Sequence, residues 1–280
     1  MKKFNFAFFG TPDVASETLE ILKNNGYLPS IIITSNDKPV GRGLHLTPSA
    51  VSIWALKNNI PCLKPEKIDQ SFIDEFAKLE IDLSIVVAYG KILPEILIKT
   101  PKLGTINIHY SLLPKYRGAS PLEATLLNGD AETGISIQQM AYKLDSGPIM
   151  ASKKISIDIN ETKEDLKNKL INLGGNLLCE IIPNIIDKNI HPETQDESKV
   201  TFCKKINKEN GELDLSGNPL ANYNKYRAFY GWPGTYFFIT KHDKKIRVKI
   251  KEAVYENNLF IIKKVTPEGK KEILYTDFLK

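Results

Sequence analysis

Cysteine, tryptophan and long apolar runs are all scarce in this 280-residue chain, which has three cysteines and two tryptophans. Apolar stretches such as 31–33 and 83–88 fall far short of the roughly 18 consecutive apolar residues that a bilayer-spanning helix needs, so no membrane association is expected. The apolar start at 4–9 is too short for a secretion-signal core. It runs into Gly10-Thr11-Pro12-Asp13 with no small-x-small cleavage site, so export is not expected either. Cys62, Cys179 and Cys203 lie far apart, cannot all pair, and show no metal-ligand spacing; a disulfide framework and a zinc finger are disfavoured, and a reducing cytoplasm fits best. The common phosphate cradles are missing too. Gly10 stands alone after the first apolar run, so neither G-x-G-x-x-G nor G-x-x-x-x-G-K-[ST] is present, and NAD binding and ATP hydrolysis are not expected.

What is present is ordinary globular composition, 42% hydrophobic and 25% charged, which excludes disordered and fibrous classes. The formal charge of +5 is unevenly placed: residues 191–280 hold 17 basic and 12 acidic side chains, whereas 1–190 hold 21 of each. That excess in the last third reads either as a solvated lysine-rich face or as a weak footprint for a polyanion such as nucleic acid.

Along the first 155 residues, short apolar runs alternate with helix-like stretches. Strands are expected at 4–9, 30–34, 83–88, 104–109 and 134–140, and helices at 13–25, 49–58, 71–78 and 121–128. Uniformly apolar strands alternating with helices predict an α/β fold, a mostly parallel, Rossmann-like sheet with helices on both faces. Ligands bind such sheets beyond the carboxyl ends of the strands. A helix at 163–186 is followed by a His, Pro, Asp and Glu-rich stretch at 187–199 that reads as a linker. After a helix at 219–229, short runs at 235–240, 245–250, 259–264 and 272–275, with turns at His242-Asp243 and 266–269, predict a small all-β module.

Three places carry candidate chemistry. Asn107 and His109 stand two apart on an expected strand, so both point to one face at its carboxyl end, although a structural histidine reads equally well there. The turn Ser111-Leu112-Leu113-Pro114 and the run Arg117-Gly118-Ala119-Ser120-Pro121 follow, as in a ligand-binding loop. Asp145, in Leu144-Asp145-Ser146-Gly147-Pro148, is either a turn-initiating residue or, if strand 134–140 neighbours the one ending at His109, the partner of the imidazole. An amide, an imidazole and a carboxylate together suit acyl transfer: the amide donates to a developing oxyanion, the histidine handles protons, and the carboxylate fixes its tautomer and raises its pKa. Gly41-Arg42-Gly43, within 36–48, reads as a surface loop with a basic residue between two glycines.

With these segments on view, the whole chain resembles the methionyl-tRNA formyltransferase family. The resemblance runs through Phe9-Gly10-Thr11-Pro12-Asp13, Lys38-Pro39-Val40-Gly41-Arg42-Gly43, Thr47-Pro48-Ser49, Val86-Val87-Ala88-Tyr89-Gly90-Lys91-Ile92-Leu93-Pro94, the segment 107–121, and Gly129-Asp130-Ala131-Glu132-Thr133-Gly134. It continues through Leu144-Asp145-Ser146-Gly147, Gln195-Asp196-Glu197, Val200-Thr201-Phe202 and Trp232-Pro233. It implies that Asn107, His109 and Asp145 are catalytic, and that Ala88, Tyr89, Gly90, Lys91, Ile92 and Leu93 form a folate pocket with Ser111, Leu112, Leu113 and Pro114. It further implies that Arg42, between Gly41 and Gly43, wedges into a tRNA acceptor end. The implied cosubstrate is 10-formyltetrahydrofolate, with no metal, and the implied acceptor is methionine-charged initiator tRNA. No DNA or membrane partner and no oligomer are implied. The implied organisation is a catalytic domain at 1–189, a linker at 190–207 and a shortened OB-like, tRNA-contacting β-barrel at 208–280. The N-x-H-x-S-L-L-P and later Asp-x-Gly pattern is shared by folate-dependent formyltransferases acting on other amines, so a sugar or small-amine acceptor is the rival reading; a folate- or RNA-binding protein without catalysis is another. The chain departs from the family pattern at Leu44-His45, at Ala141 and Lys143, and in the brevity of its last strands.

Overall fold

Phe6-Ala7-Phe8-Phe9-Gly10 has no polar side chain, and it forms the wholly buried strand β1 (Phe6–Gly10) at the interior of a sheet. The computed structural model describes residues 4–40, 45–241 and 244–280. Gly41, Arg42, Gly43 and the expected turn at His242-Asp243 lie outside the described residues.

After β1 come α1 (Asp13–Asn24), β2 (Ile31–Ile33), the antiparallel pair β3 (Lys38–Val40) and β4 (His45–Thr47), α2 (Ala50–Lys57), β5 (Cys62–Leu63), α3 (Gln70–Ala77), β6 (Leu83–Val87), α4 (Glu95–Lys99) and β7 (Thr105–His109). Next are β8 (Arg117–Gly118), α5 (Pro121–Leu127), β9 (Glu132–Gln139), β10 (Ile149–Ser156), α6 (Lys163–Ile186) and β11 (Phe202–Cys203). The chain ends with α7 (Pro219–Ala228), β12 (Thr235–Lys241), β13 (Lys244–Glu256), β14 (Leu259–Pro267), β15 (Ile273–Leu274) and α8 (Tyr275–Phe278). No helix among the described residues is long and apolar enough to cross a membrane.

The chain forms two compact units. The first comprises Met1–Arg117, Gly134–Lys154 and Lys169–Thr201, and the second Gly118–Thr133, Ile155–Asn168 and Phe202–Lys280. Unit 1 contains the body of a seven-stranded sheet of order β10-β9-β7-β6-β1-β2-β5. β5, β2, β1, β6 and β7 run parallel, and β9 joins β7 antiparallel. Because side chains alternate along a strand, Ala7 and Phe9 pack with Ile73 and Phe76 of α3 and Leu97 and Ile98 of α4 on one face. On the other face, Gly174 of α6 lies so near Ile108 and Ile135 that an added Cβ would sit 3.2 Å and 3.5 Å from them. Helices therefore cover both faces, as the apolar strands predict.

The short elements β3, β4, β5, α4, β8, β11 and α8 escape the sequence reading, and two further differences bear on the site. β10, Ile-Met-Ala-Ser-Lys-Lys-Ile-Ser, lies at the sheet edge, where Lys153 and Lys154 stay exposed and interrupt the apolar signal. The stretch at 187–199 is tied into unit 1, since Ile149 and Glu193 exchange both backbone hydrogen bonds at 2.8 Å.

In unit 2, β12, β13, β14 and β15 form a four-stranded antiparallel sheet with a register shift between Ile250 and Ala253 that bends β13. Its core joins Tyr223 and Tyr226 of α7 to Phe237, Val248, Ile262 and Val265. The small all-β module preceded by a helix is thus present, with four strands in its sheet among the described residues.

Candidate active site

The strand registers set five side chains in one row across the sheet of unit 1: Ile33, Phe9, Val86, Asn107 and Gln138. Three apolar side chains give way to two amides as the row passes from the parallel core to β7 and antiparallel β9. Asn107 is half-buried, and its side-chain amide has no protein hydrogen-bond partner among the described residues. It is an amide donor free to meet a ligand. His109, two residues on, ends β7 on the same face and is 4% exposed.

β9 does neighbour β7, so the conditional meeting of imidazole and carboxylate takes place: Asp145 Oδ2 lies 3.7 Å from His109 Nδ1. The ring is fixed from its other side, where Nε2 sits 3.0 Å from the carbonyl oxygen of Tyr116. A carbonyl only accepts, so the proton is on Nε2, and a neutral ring keeps its lone pair on Nδ1. The tautomer is therefore set by the Tyr116 carbonyl and not, as the sequence led us to expect, by Asp145. The direction of the pKa differs as well. Burial pushes the imidazole below its usual value and outweighs the opposing pull of Asp145 and the Tyr116 carbonyl.

Asp145 occupies left-handed backbone (φ 48°) and accepts a hydrogen bond at Oδ1 from Gln138 Nε2 at 2.9 Å. Gln138 is 2% exposed, and its own Oε1 is buried with no partner among the described residues. Beside this group lies a cavity of about 440 Å³, lined by Lys91, Ile92, Leu93, Gln138, Met140, Tyr142, Leu144 and Asp145 among others. Ile92, Tyr142 and Leu144 are 86%, 70% and 62% exposed, an apolar rim facing solvent. Such a rim is what a flat, partly apolar ligand would cover.

The other expected pocket residues are placed differently. Ala88 and Gly90 bend the chain with φ 47° and 78°, and Tyr89 is buried against Phe9, its hydroxyl pushed up to about 12 by burial. Lys91 donates from Nζ to the carbonyls of Pro65 and Glu66. The turn at 111–114 is pinned to β9: Ser136 Oγ donates to the Ser111 carbonyl at 2.8 Å and accepts from the Leu113 N–H at 2.9 Å. None of these four turn residues lines the 440 Å³ cavity. Among the described residues no three His, Cys, Asp or Glu side chains gather as a metal site.

The formyl transferase family model matches residues 2–182, and its C-terminal domain model matches 205–260. A methionyl-tRNA formyltransferase of Sulfurimonas denitrificans is 41% identical over 253 residues, covering 89% of this chain and 82% of that protein. One from Halalkalibacterium halodurans is 38% identical over 295 residues, covering 98% of this chain and 93% of its own. The chain belongs to the methionyl-tRNA formyltransferase family. It is a formyl-transferring enzyme.

Solved structures agree on the fold of this formyltransferase. A methionyl-tRNA formyltransferase from Clostridium thermocellum matches with a TM-score of 0.63 at 16% identity, over 94% of this chain and 98% of that one. An N-formyltransferase from Helicobacter canadensis, solved with folinic acid and dTDP-3-aminofucose, matches with a TM-score of 0.65 at 20% identity, over 96% and 98%.

Residues to which the sequence reading gave no role of their own join the group around Asp145. Gln138 was hidden inside an unremarkable strand, and only its register with Asn107 exposes it. Arg117, 0% exposed, donates to Gln195 Oε1 from Nε at 3.0 Å and from Nη2 at 2.8 Å, and Gln195 Nε2 in turn donates to the backbone at Asp145 and Gly147. No local signal marks Gln195 as buried, because its neighbours in sequence are polar.

Proposed function

We propose that this enzyme transfers the formyl group of 10-formyltetrahydrofolate to the α-amine of methionine on initiator tRNA, for the initiation of translation, with Asn107, His109 and Asp145 at the reacting atoms. The observation that carries the site assignment is the meeting of a buried His109, its Nδ1 unblocked, with Asp145 at 3.7 Å on the row that also holds Asn107. The formyl donor fits the 440 Å³ cavity by its chemistry: a bicyclic ring suits the apolar rim of Ile92, Tyr142 and Leu144. Bound there, the donor supplies an electrophilic formyl carbon on a nitrogen that can leave.

The protein's part is electrostatics and proton traffic. Asn107 supplies an N–H to the formyl oxygen as it gains charge. His109, neutral at rest, takes the proton that the attacking α-amine must lose, at Nδ1. Asp145 stabilises the imidazolium so formed, and the same proton then passes to the departing nitrogen, leaving His109 neutral again. We assign Ala88–Leu93 and the turn at 111–114 to shaping the folate site, and Arg42 with Gly41 and Gly43 to the tRNA end, where a guanidinium suits phosphates and an unstacked base. We assign residues 1–189 to the catalytic domain and 208–280 to a tRNA-contacting module, whose excess of basic residues suits a polyanion; of the expected linker 190–207, the part up to Thr201 belongs with unit 1. The enzyme works as a cytoplasmic monomer, without DNA, membrane or metal.

The test is to mix purified protein with 10-formyltetrahydrofolate and methionine-charged initiator or elongator tRNA, and to follow formyl transfer. Transfer selective for the initiator is the expected result. Failure with both tRNAs, while a sugar amine is formylated, would keep the catalytic site and overturn the acceptor.

A further inference from the structure

The catalytic carboxylate sits on a short loop whose conformation is costly. Asp145 is held at φ 48°, and Gly147 runs so close to β9 that a Cβ there would lie 1.7 Å from the carbonyl oxygen of Gln139. Something must hold this loop in place, and three contacts from 193–197 reach it. Glu193 bridges backbone to backbone with Ile149. Gln195, 5% exposed, places its single Nε2 between two carbonyls, donating to Asp145 O at 2.8 Å and to Gly147 O at 2.7 Å. Glu197 closes the far side, 3.5 Å from Lys143 Nζ and 2.7 Å from Arg117 Nη2.

The amide of Gln195 cannot rotate away. Its Oε1 takes two hydrogen bonds from the fully buried guanidinium of Arg117, which fixes the orientation of the –NH₂ end towards the loop. Both ends of one side chain are thus spoken for: the oxygen by a fixed cation, the nitrogen by the two carbonyls that flank Ser146.

We propose that Gln195 is a positioning residue for formyl transfer, oriented by Arg117 and acting through the backbone of Asp145 and Gly147 to hold the Asp145 carboxylate opposite His109. This rests on the catalytic reading of Asp145 given above. Gln195 touches no reacting atom. Its main contribution is to the geometry of the proton relay, so the loss in kcat exceeds the rise in donor KM that follows because Leu144 and Asp145 of the same loop line the cavity.

The experiment is a double-mutant cycle on the full-length enzyme, reading kcat, donor KM and thermal midpoint for Gln195→Ala, Asp145→Ala and the pair. Gln195→Ala is expected to lower kcat about tenfold or more, and to have less than about a twofold further effect once Asp145 is already alanine. Gln195→Glu is the second variant: its carboxylate still accepts from Arg117, but it cannot donate and sets an oxygen against the two carbonyls. Its kcat is expected to fall at least as far as that of Gln195→Ala, with a lower thermal midpoint, and, assayed well below that midpoint, the loss shrinks to less than about twofold in the Asp145→Ala background. A Gln195→Glu enzyme with wild-type kcat overturns the proposal, as does an equal loss from Gln195→Ala in both Asp145 backgrounds. If Asp145→Ala alone turns over at the wild-type rate, the catalytic reading of Asp145 is what has failed, and the proposal falls with it.

Discussion

Gly147→Ala tests the whole account of the site with one methyl group. Gly147 is not in left-handed backbone, so the substitution is not a conformational strain; it is a collision. The new Cβ would lie 1.7 Å from Gln139 O and 2.9 Å from Gln139 C, both main-chain atoms at the end of β9, where real Cβ contacts below 3.0 Å are essentially never seen. The loop must therefore retreat by at least about 1.3 Å. Overpacking of this kind costs about 1–3 kcal/mol of stability, tolerable for a domain of this size. The effect on catalysis is larger. Asp145 is two residues away on the same loop, and a misplacement of about 1 Å in a catalytic group costs on the order of 100-fold. The assay is single-turnover formyl transfer to charged initiator tRNA at saturating donor, alongside a thermal melt. A folded Gly147→Ala protein that keeps its rate within about threefold would refute the reasoning, because it would mean that Asp145 need not stand where it does.

Asn107→Asp is expected to lower kcat by about 100-fold or more, since it replaces a donor with a charge that repels the forming oxyanion; an unchanged turnover rate would remove Asn107 from that role. The pH dependence follows from the buried imidazole. His109 is shifted below the ordinary value of 6.5, so on acidification the unfolded ring, near 6.5, takes up its proton before the native one does. The stability contributed by the neutral ring is present above pH 6.5 and is lost as pH falls through the native pKa. Denaturant unfolding across that range checks this, and the acid limb of a kcat profile should likewise lie below pH 6.5. Gln138→Met removes a buried oxygen without a partner but also a hydrogen bond to a largely buried carboxylate, which is worth more, so stability should fall by about 1 kcal/mol in thermal or denaturant unfolding. That carboxylate is Asp145, yet kcat should fall by less than about tenfold because Gln195 still holds the loop.

How much of this is legible in the sequence depends on whether the signal is local. β1 is apolar throughout and β6 is apolar but for Ser84 because they are interior strands, and that property can be read residue by residue; β7 alternates Ile106 and Ile108 with polar residues. Asn107 and His109 share a face for the same reason, since period two is local. Asp145 needs one long-range fact, that β9 lies beside β7, and stays conditional without it. Gln138 needs the register itself. Gln195 and Arg117 are further out of reach: their burial depends on a contact across 78 positions, and the polar composition around 187–199 points the other way. β10 is missed because an edge strand has one side free for lysine, which erases the alternation on which recognition depends. The tautomer of His109 is set by a main-chain carbonyl, which has no letter in the sequence at all.

The separation between Asp145 and Gln195, 50 positions along the chain, has a meaning during synthesis. A ribosome adding about 5–20 residues per second delivers Asn107, His109 and Asp145 several seconds before the residue that holds their loop in place. During that interval the nascent chain can already pair β7 with β9, yet the loop after β9 lacks the two hydrogen bonds that Gln195 donates to Asp145 and Gly147. The strands that carry Asn107 and His109 are therefore made before the side chain that holds the catalytic loop, and a stalled nascent chain that ends before Gln195 should carry all three reacting side chains yet transfer formyl at least about tenfold more slowly than the full chain.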